Sequence, residues 1–249
     1  MIVDAHAHWG PWFFSMETGS VALNSKLMDR FDIGWQLVSA IEAITYDAPA
    51  GNRSLDRVLS ADGADPRLFG LVTVDPRELG AAREDLQRLS RPQWVGVKIH
   101  THYSATPISS APMQAAVELA TEFGLPVLVH TWGEDLLDLA ALAARVPGSR
   151  LIAGHMGAGA WRRIPEAREI SDRIWFEPCW SQPEASRLRW VLDQIGHDRL
   201  VFGTDATLID PSVTLGAVQA AGLTLGEWDA VMRVNAIGLF DLPAPLKTS

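Results

Sequence analysis

The sequence predicts an α/β protein, a (β/α)8 TIM barrel that is regular or slightly distorted. Three observations predict this class. The chain has 249 residues, which is the usual size of one such barrel. Eight short runs rich in Val, Ile and Leu are typical of strands buried on both faces, because they lack polar alternation. Segments with helical spacing separate these runs, and that alternation implies parallel strands with helical crossovers.

The eight predicted strands follow one another along the whole chain. The second is the least regular of them, because Glu42 interrupts its apolar run. In chain order, the predicted strands are residues 2–6, 37–44, 68–74, 94–100, 126–130, 151–155, 174–179 and 200–204.

The segments between and after these strands predict helices. In residues 113–123 the apolar side chains form one stripe, and Gly124 follows where a C-terminal cap is expected. Residues 16–30 are polar and mixed, which predicts a loop or short helix over one barrel end. No composition shift or linker divides the chain, so we expect one domain over residues 1–249. The other predicted helices are residues 136–146, 185–195, 213–221 and 225–234.

Charge and cysteine content narrow the class of partner. The chain has 30 acidic and 21 basic residues and a net charge of -9. An acidic surface repels nucleic-acid backbones and anionic membranes, so we expect a small-molecule substrate instead. The N-terminus shows no basic leader, and no apolar run reaches the ~20 residues that span a bilayer. Because the single Cys179 cannot form an intramolecular disulfide, these features predict a cytoplasmic protein.

Histidines gather where the predicted strands end. Asp205 follows the last strand, and the carboxyl ends of barrel strands meet at the face where active sites form. Side chains alternate along a strand, so His6 and His8 point to the same side. One histidine after a strand is commonly a polar cap, but several converging imidazoles and a carboxylate predict a metal site. The histidines at or just past strand ends are His6, His8, His100, His102, His130 and His155.

Five ordered motifs resemble those of the amidohydrolase superfamily. The closer similarity is to its amidohydrolase-related branch, which includes aminocarboxymuconate semialdehyde decarboxylase. The resemblance spans nearly the whole chain, and residues 235–240 resemble the C-terminal helix of that branch. The motifs are Asp-Ala-His-Ala-His at 4–8, Gly-Val-Lys-Ile-His at 96–100, Leu-Pro-Val-Leu-Val-His at 125–130, Gly-His-Met-Gly at 154–157 and Phe-Gly-Thr-Asp-Ala at 202–206.

The resemblance implies a role for each matching residue. His6, His8 and His130 match strand-borne metal ligands, and Asp205 matches a carboxylate that touches the metal and handles the proton of its water. His155 matches a catalytic histidine beside the metal. The implied cofactor is one divalent ion, which we expect to be zinc, with manganese, iron and cobalt as alternatives.

Lys98 has two interpretations. Superfamily members with two metals carry a carboxylated lysine on the fourth strand, which bridges the ions. We favour a protonated Lys98 that contacts substrate or joins a polar network together with His100, which shares its strand face. An unpaired buried lysine is costly, so it needs a partner. Glu177 is a candidate for that partner, and a structural ion pair is the equal alternative.

Tryptophans predict an aromatic substrate pocket. Trp9, Trp132 and Trp180 follow strands at the catalytic face, where they could surround a ring. Loop packing or a homodimer interface is the alternative for each of them. Arg162 could bind a substrate carboxylate through its guanidinium group, although a solvated surface arginine is the commoner outcome.

Three functions compete. We expect a metal-dependent hydrolase that acts on a small cyclic or aromatic ester, lactone or amide. The alternative is a metal-dependent non-oxidative decarboxylase of an unsaturated or aromatic acid. The short chain and the Gly-Thr-Asp-Ala sequence at 203–206 favour hydrolysis in this comparison. A silent binding protein is disfavoured, because a purely structural metal site needs neither His155 nor Asp205.

Overall fold

The computed structural model describes residues 1–15, 20–182, 184 and 186–243. Two expectations therefore fall partly outside the described residues: positions 16–19 of the segment 16–30, and position 185 of the helix 185–195. In the part of the chain that is described, no helix is both long and apolar enough to cross a membrane.

The centre of the molecule is one sheet of seven parallel strands that curls into a half-barrel with helices. The strands lie in chain order, and each pairs with the next one along the chain. Their bounds are β1 (Ile2–Trp9), β2 (Ile33–Ala40), β3 (Leu68–Thr73), β4 (Trp94–Ile99), β5 (Val127–His130), β6 (Leu151–Gly154) and β7 (Ile174–Phe176).

Helices connect the strands as predicted for parallel pairing. A 3-10 helix (His155–Arg163) follows β6 directly, and a π-helix (Ala230–Val234) lies near the C-terminus. The α-helices are α1 (Val21–Phe31), α2 (Ile41–Thr45), α3 (Ala48–Leu59), α4 (Leu79–Arg88), α5 (Thr101–Ser104), α6 (Ala111–Glu122), α7 (Asp135–Arg145), α8 (Ile164–Ile170), α9 (Arg187–Ile195), α10 (Ser212–Ala220), α11 (Leu225–Asp229) and α12 (Asn235–Leu239).

The predicted eighth strand is the main departure from the expected barrel. Residues 200–206, the eighth segment, form isolated bridges instead of a regular strand. Val201 donates its N–H to the Phe176 carbonyl at 3.0 Å, and Phe202 accepts the Ala5 N–H at 2.9 Å. The Phe202 N–H turns away to the Val231 carbonyl of the π-helix at 3.0 Å. Because these backbone hydrogen bonds go to β7, to β1 and to the π-helix, the segment forms no continuous ladder with one strand.

The second strand begins and ends earlier in the chain than the sequence predicts. β2 begins at Ile33, before the predicted range 37–44, and ends at Ala40. The following apolar residues form the short helix α2, in which Ile41, Ala43 and Ile44 are buried. A short apolar run is compatible with a buried strand or a buried helical turn, and periodicity alone does not separate them.

The pairing of β1 with β2 is irregular in the middle of β1. Asp4 pairs with Gln36 and Ala7 with Val38, so three steps on β1 face two on β2. Such a bulge changes the face to which side chains point. Val3 and Ala5, on one side of it, join an apolar cluster with Leu37, Leu128, Ile152 and Val201. His6 and His8 on the other side point to the carboxyl end of the sheet.

A buried polar network ties β1 to the eighth segment. The Asp4 carboxylate accepts hydrogen bonds from the Thr204 N–H at 3.0 Å and the Thr204 hydroxyl at 2.6 Å. It also accepts from Gln36 Nε2 at 2.9 Å and from the His6 N–H at 3.2 Å. Since Asp4 is fully buried, these four donors replace the water that the carboxylate would otherwise require.

The Thr204 hydroxyl is expected to contribute directly to stability. Thr204→Val keeps the side-chain volume but leaves the Asp4 carboxylate short of a donor, which costs about 1–3 kcal/mol. Urea denaturation measures the change. Thr214→Val is the matched control, because Thr214 is buried and its hydroxyl has no hydrogen-bond partner among the described residues. Equal losses in the two variants would contradict the role of the Asp4 network.

Candidate active site

A cavity of about 390 Å³ opens at the carboxyl ends of the strands. Polar groups lie among its lining residues, together with tryptophan, tyrosine and aliphatic side chains. This size and this mixture suit a small ligand whose polar groups are recognised at a few points. The lining residues are His6, His8, Trp12, Ile44, Lys98, His100, Tyr103, His130, Trp132, His155, Trp180, Ser181, Asp205, Leu208 and Ile209.

Three of the predicted ligands form a compact group in the cavity. His8 Nε2 lies 2.8 Å from Asp205 Oδ1, and His6 Nε2 lies 3.6 Å from the same oxygen. The three donor atoms lie within 4.8 Å of one another, and all three residues are buried. Lys98 Nζ lies 2.8 Å from His6 Nε2, so a lysine nitrogen adjoins this group. The Ser39 hydroxyl, 2.9 Å from His8 Nδ1, fixes the other side of that ring.

Asp205 reaches His6 and His8 through an unusual backbone conformation. Its φ is +59°, in the left-handed region that residues other than glycine rarely adopt. The Asp205 N–H donates to the His6 carbonyl at 2.7 Å, which anchors the eighth segment beside β1. Strained backbone of this kind persists where the surroundings over-determine it, and it is enriched at functional sites.

His130 and His155 form a second pair of imidazoles in the same cavity. His130 Nδ1 and His155 Nε2 are 3.1 Å apart. His155 also has a left-handed φ, of +66°, at the point where β6 turns directly into the 3-10 helix. The Cys179 carbonyl lies 3.1 Å from His155 Nδ1, and Arg187 Nη2 donates to the His155 carbonyl at 2.7 Å. These contacts fix both the ring and the backbone of His155.

The His130 ring is packed between two other rings. His100 stacks on it at 4.0 Å between centroids and 16° between planes, and Trp132 lies parallel at 5.8 Å and 7°. Yet His130 Nε2 is buried without a hydrogen-bond partner in the described residues. A buried polar atom without a partner is costly and calls for an explanation, of which a missing ion is one.

Burial keeps the His6 and His8 imidazoles neutral, which is the form that binds metal. Burial lowers the pKa of His8 against the opposing effect of Asp205, and burial with the Lys98 charge lowers the pKa of His6 well below its usual range. Burial also raises the pKa of Asp205, but the His8 hydrogen bond and the neighbouring histidines outweigh it and keep the carboxylate ionised. Neutral imidazoles beside a carboxylate fit a divalent cation.

The structure places most of the predicted substrate residues at the cavity. Lys98, His100, Trp132 and Trp180 line it. Burial lowers the pKa of Lys98, and it lowers that of His100 to about 2 with help from the Lys98 charge.

Two predicted substrate residues lie elsewhere. Trp9 lines a separate pocket with Ser20 and Arg67. Arg162 lies over the Trp161 ring at 4.0 Å, and its exposed guanidinium is 3.8 Å from a Glu184 oxygen. Trp9 is the last residue of β1, so strand alternation points it away from the side of His8, whereas Trp12 lies beyond the strand and lines the cavity.

Two polar residues of the cavity wall, Tyr103 and Ser181, are not among the predicted site residues. Tyr103 and Ser181 follow strand ends, as the predicted residues do, but their types gave no signal of chemistry. Tyr103 packs on the His100 ring at 4.5 Å between centroids. Position just past a strand end was the only indicator that could have selected them.

The fold and the site together define an α/β enzyme class in which histidine and aspartate donors gather at the carboxyl ends of parallel strands. The chain belongs to the amidohydrolase family, whose model, described as Amidohydrolase, matches residues 3–242. This match confirms the family resemblance seen in the sequence and the prediction that the protein is an enzyme. No curated protein sequence matches the chain.

Solved structures share the fold at low identity. 5-Carboxyvanillate decarboxylase from Sphingomonas paucimobilis is 12% identical with a TM-score of 0.77, over 97% of this chain and 99% of that one. A dihydroxybenzoic acid decarboxylase from Polaromonas sp., with bound manganese and the inhibitor 2-nitroresorcinol, is 15% identical with a TM-score of 0.75, over 96% of both chains. A probable 2-pyrone-4,6-dicarboxylic acid hydrolase from Acinetobacter baumannii, with citric acid bound, is 12% identical with a TM-score of 0.71, over 97% of this chain and 99% of that one.

Asp205→Asn is expected to weaken metal binding sharply. The amide keeps the shape of the side chain but loses the charge, so the loss should exceed the roughly 10–100-fold typical of outer-shell changes. Titration of chelator-treated protein with manganese or zinc measures the dissociation constant. Asp210→Asn is the control, because Asp210 is partly exposed, 3.8 Å from an Arg30 nitrogen, and does not line the cavity. Unchanged affinity in Asp205→Asn would contradict this assignment.

Proposed function

We propose that this enzyme is a metal-dependent, non-oxidative decarboxylase of a small aromatic or unsaturated carboxylic acid. The observation that carries the proposal is the group formed by His6, His8 and Asp205 within an aromatic-lined cavity. The structural neighbours support decarboxylation more than the hydrolysis favoured by the sequence, since most are named as decarboxylases. In this proposal the eighth segment takes the place of the last strand of a (β/α)8 barrel.

The residues that would hold the ion are His6, His8 and Asp205, with His130 as the fourth. The unpartnered His130 Nε2 supports its inclusion. Two neighbours crystallised with manganese make manganese as strong a candidate as zinc. When bound, the ion supplies a Lewis acid for an oxygen of the substrate.

The remaining chemistry belongs to the side chains of the chain itself. Decarboxylation breaks the bond between the ring carbon and the carboxylate, releases carbon dioxide and leaves a carbon that takes up one proton. Asp205 and His155 both line the cavity, so the ionised Asp205 can accept a proton from water and His155 beside it can pass a proton to the carbon. Trp132 and Trp180, whose ring centroids are 6.2 Å apart, form a wall against which a flat substrate can stack.

Lys98 decides between one ion and two. A protonated Lys98 fits its 2.8 Å contact with His6 Nε2, because the ammonium can donate to that nitrogen, and Lys98 would release this lone pair when an ion binds there. A carboxylated Lys98 would instead bridge a second ion, for which His130 Nδ1 and His155 Nε2 are the available nitrogens. We favour the protonated form and expect one ion per chain by elemental analysis. Two ions per chain, with a lysine mass increase of one carbon dioxide, would overturn this choice.

Hydrolysis of a small lactone or ester is the second candidate. The probable pyrone dicarboxylic acid hydrolase supports it, since its fold covers 97% of this chain. The same residues serve both reactions, because each needs a cation site with a proton-carrying group beside it. The single family match over residues 3–242 supports a single-domain enzyme in either case, and the single buried cysteine supports a cytoplasmic one.

Release of carbon dioxide from aromatic acids tests the reaction. We expect turnover of hydroxybenzoate-type acids by manganese- or zinc-loaded protein, with loss of activity after chelation and in Asp205→Asn. Coupled detection of carbon dioxide measures the rate. Turnover of lactones or esters without any decarboxylation would replace this proposal by the hydrolase.

The aromatic wall is expected to act on substrate binding. Trp132→Ala should raise the KM about 3–10-fold with a smaller change in kcat, because a lost ring contact costs about 0.5–1.5 kcal/mol beyond lost area. Trp228→Ala is the control, since Trp228 lies on α11 away from the cavity and is 36% exposed. A KM equal to that of the unmodified enzyme in Trp132→Ala would contradict the stacking role.

A further inference from the structure

The Glu177 carboxylate lies behind His6, on the side away from the cavity. Its Oε2 is 2.7 Å from His6 Nδ1, and it also accepts the Cys179 thiol at 2.9 Å and the His155 N–H at 3.3 Å. Its Oε1 accepts the Cys179 N–H at 2.6 Å. The residue is fully buried. One carboxylate thus contacts β1, the start of the 3-10 helix and the chain after β7.

The eighth segment leaves room for this carboxylate. A Cβ atom at Gly203 would lie 2.7 Å from the Glu177 carboxyl carbon and from its Oε1. Real Cβ atoms do not approach other atoms so closely, so only glycine at position 203 allows Glu177 to keep this position. The Phe-Gly-Thr-Asp motif therefore contributes to the His6 environment as well as supplying Asp205.

The contacts of His6 fix which nitrogen carries its proton. A neutral imidazole has one N–H and one lone pair. Glu177 at Nδ1 is an acceptor, whereas Lys98 at Nε2 can donate, at 2.7 Å and 2.8 Å respectively. The proton therefore belongs on Nδ1, and the Nε2 lone pair faces Lys98, His8 and Asp205. That is the form in which a histidine binds a metal through Nε2.

The same contacts exclude a different interpretation of this cluster. Donor atoms of His6, His155, Glu177 and Cys179 lie within 4.8 Å of one another, a composition that could suit zinc. With its proton on Nδ1, however, His6 has no lone pair to offer on that side. The cluster is therefore a hydrogen-bonded support for His6.

We propose that Glu177 is a positioning residue that holds His6 in its Nδ1–H form and so directs Nε2 at the cation site. This inference rests on the proposed function, because it assumes that His6 binds the ion. Carboxylate partners of metal-bound histidines fix the ring and its tautomer, and their loss typically costs roughly 10–100-fold in metal affinity or activity.

Metal affinity is the first readout. We expect Glu177→Gln to weaken manganese or zinc binding by roughly 10–100-fold. All the groups that now contact the Glu177 carboxylate can donate a hydrogen bond, and the NH2 group of a glutamine would have to face at least one of them. Gly203→Ala should weaken binding in the same direction by displacing the intact carboxylate. Glu166→Gln is the matched control, since Glu166 lies on α8 and pairs with Arg163 at 2.9 Å.

The tautomer of His6 is the second readout, and general loss of packing would not change it selectively. Nitrogen-15 shifts of labelled histidine, assigned with His6→Gln, should show the Nδ1–H form in the unmodified protein and a shift toward Nε2–H in Glu177→Gln. Thermal melting of every variant identifies those that fail to fold. If Glu177→Gln does not fold, the same two measurements are made on Gly203→Ala.

The outcomes separate this inference from the proposed function. If the unmodified protein binds no metal, the proposed function fails, whatever the His6 tautomer is. If it binds metal and the folded Glu177→Gln protein keeps both its affinity and its tautomer, the positioning role is wrong. A cadmium–thiolate absorption band that disappears in Cys179→Ser would also overturn it, since the cluster would then be a metal site itself.

Discussion

The site depends on how the buried His6 imidazole is held at both of its nitrogens. Glu177 accepts on one side and Lys98 adjoins the other, so a buried carboxylate and a lysine nitrogen are linked through one neutral ring. Buried ionisable groups are tolerated only when paired and hydrogen-bonded. The Lys98 nitrogen lies beside the same His6 nitrogen that would face the ion. The contacts of His6 with Glu177 and Lys98 therefore belong both to the buried polar network and to the proposed cation site.

Two of the proposed catalytic residues have a strained backbone. His155 and Asp205 both adopt left-handed φ values, at the ends of β6 and of the eighth segment. Each is held by contacts from other elements, His155 by Arg187 and Asp205 by the His6 carbonyl. The sheet and its apolar clusters supply the stability that sustains such conformations. The regular strands thus support a less regular catalytic end.

Hydrolysis and decarboxylation make similar demands on the polar residues of this cavity. Both use a cation site and a group that carries a proton, and in the proposed function the histidines and Asp205 supply them. The substrate depends on the walls, where Trp12, Tyr103 and Trp132 supply flat apolar surface. Fold and metal donors are shared among enzymes with different reactions, and loop residues distinguish them. The choice of substrate would accordingly depend on these aromatic side chains.

The sequence by itself determined the order of the seven strands, the strand ends near which the histidines lie and the family to which the chain belongs. These follow from local periodicity and from ordered motifs, which do not depend on distant parts of the chain. The tertiary structure alone decided that β2 begins at Ile33, that the eighth segment bonds to three partners and that Glu177 supports His6. It also decided that Trp12 faces the cavity while Trp9 faces another pocket. Each of these depends on which distant atoms fill a given space, because hydrogen bonds and close packing are chosen in three dimensions.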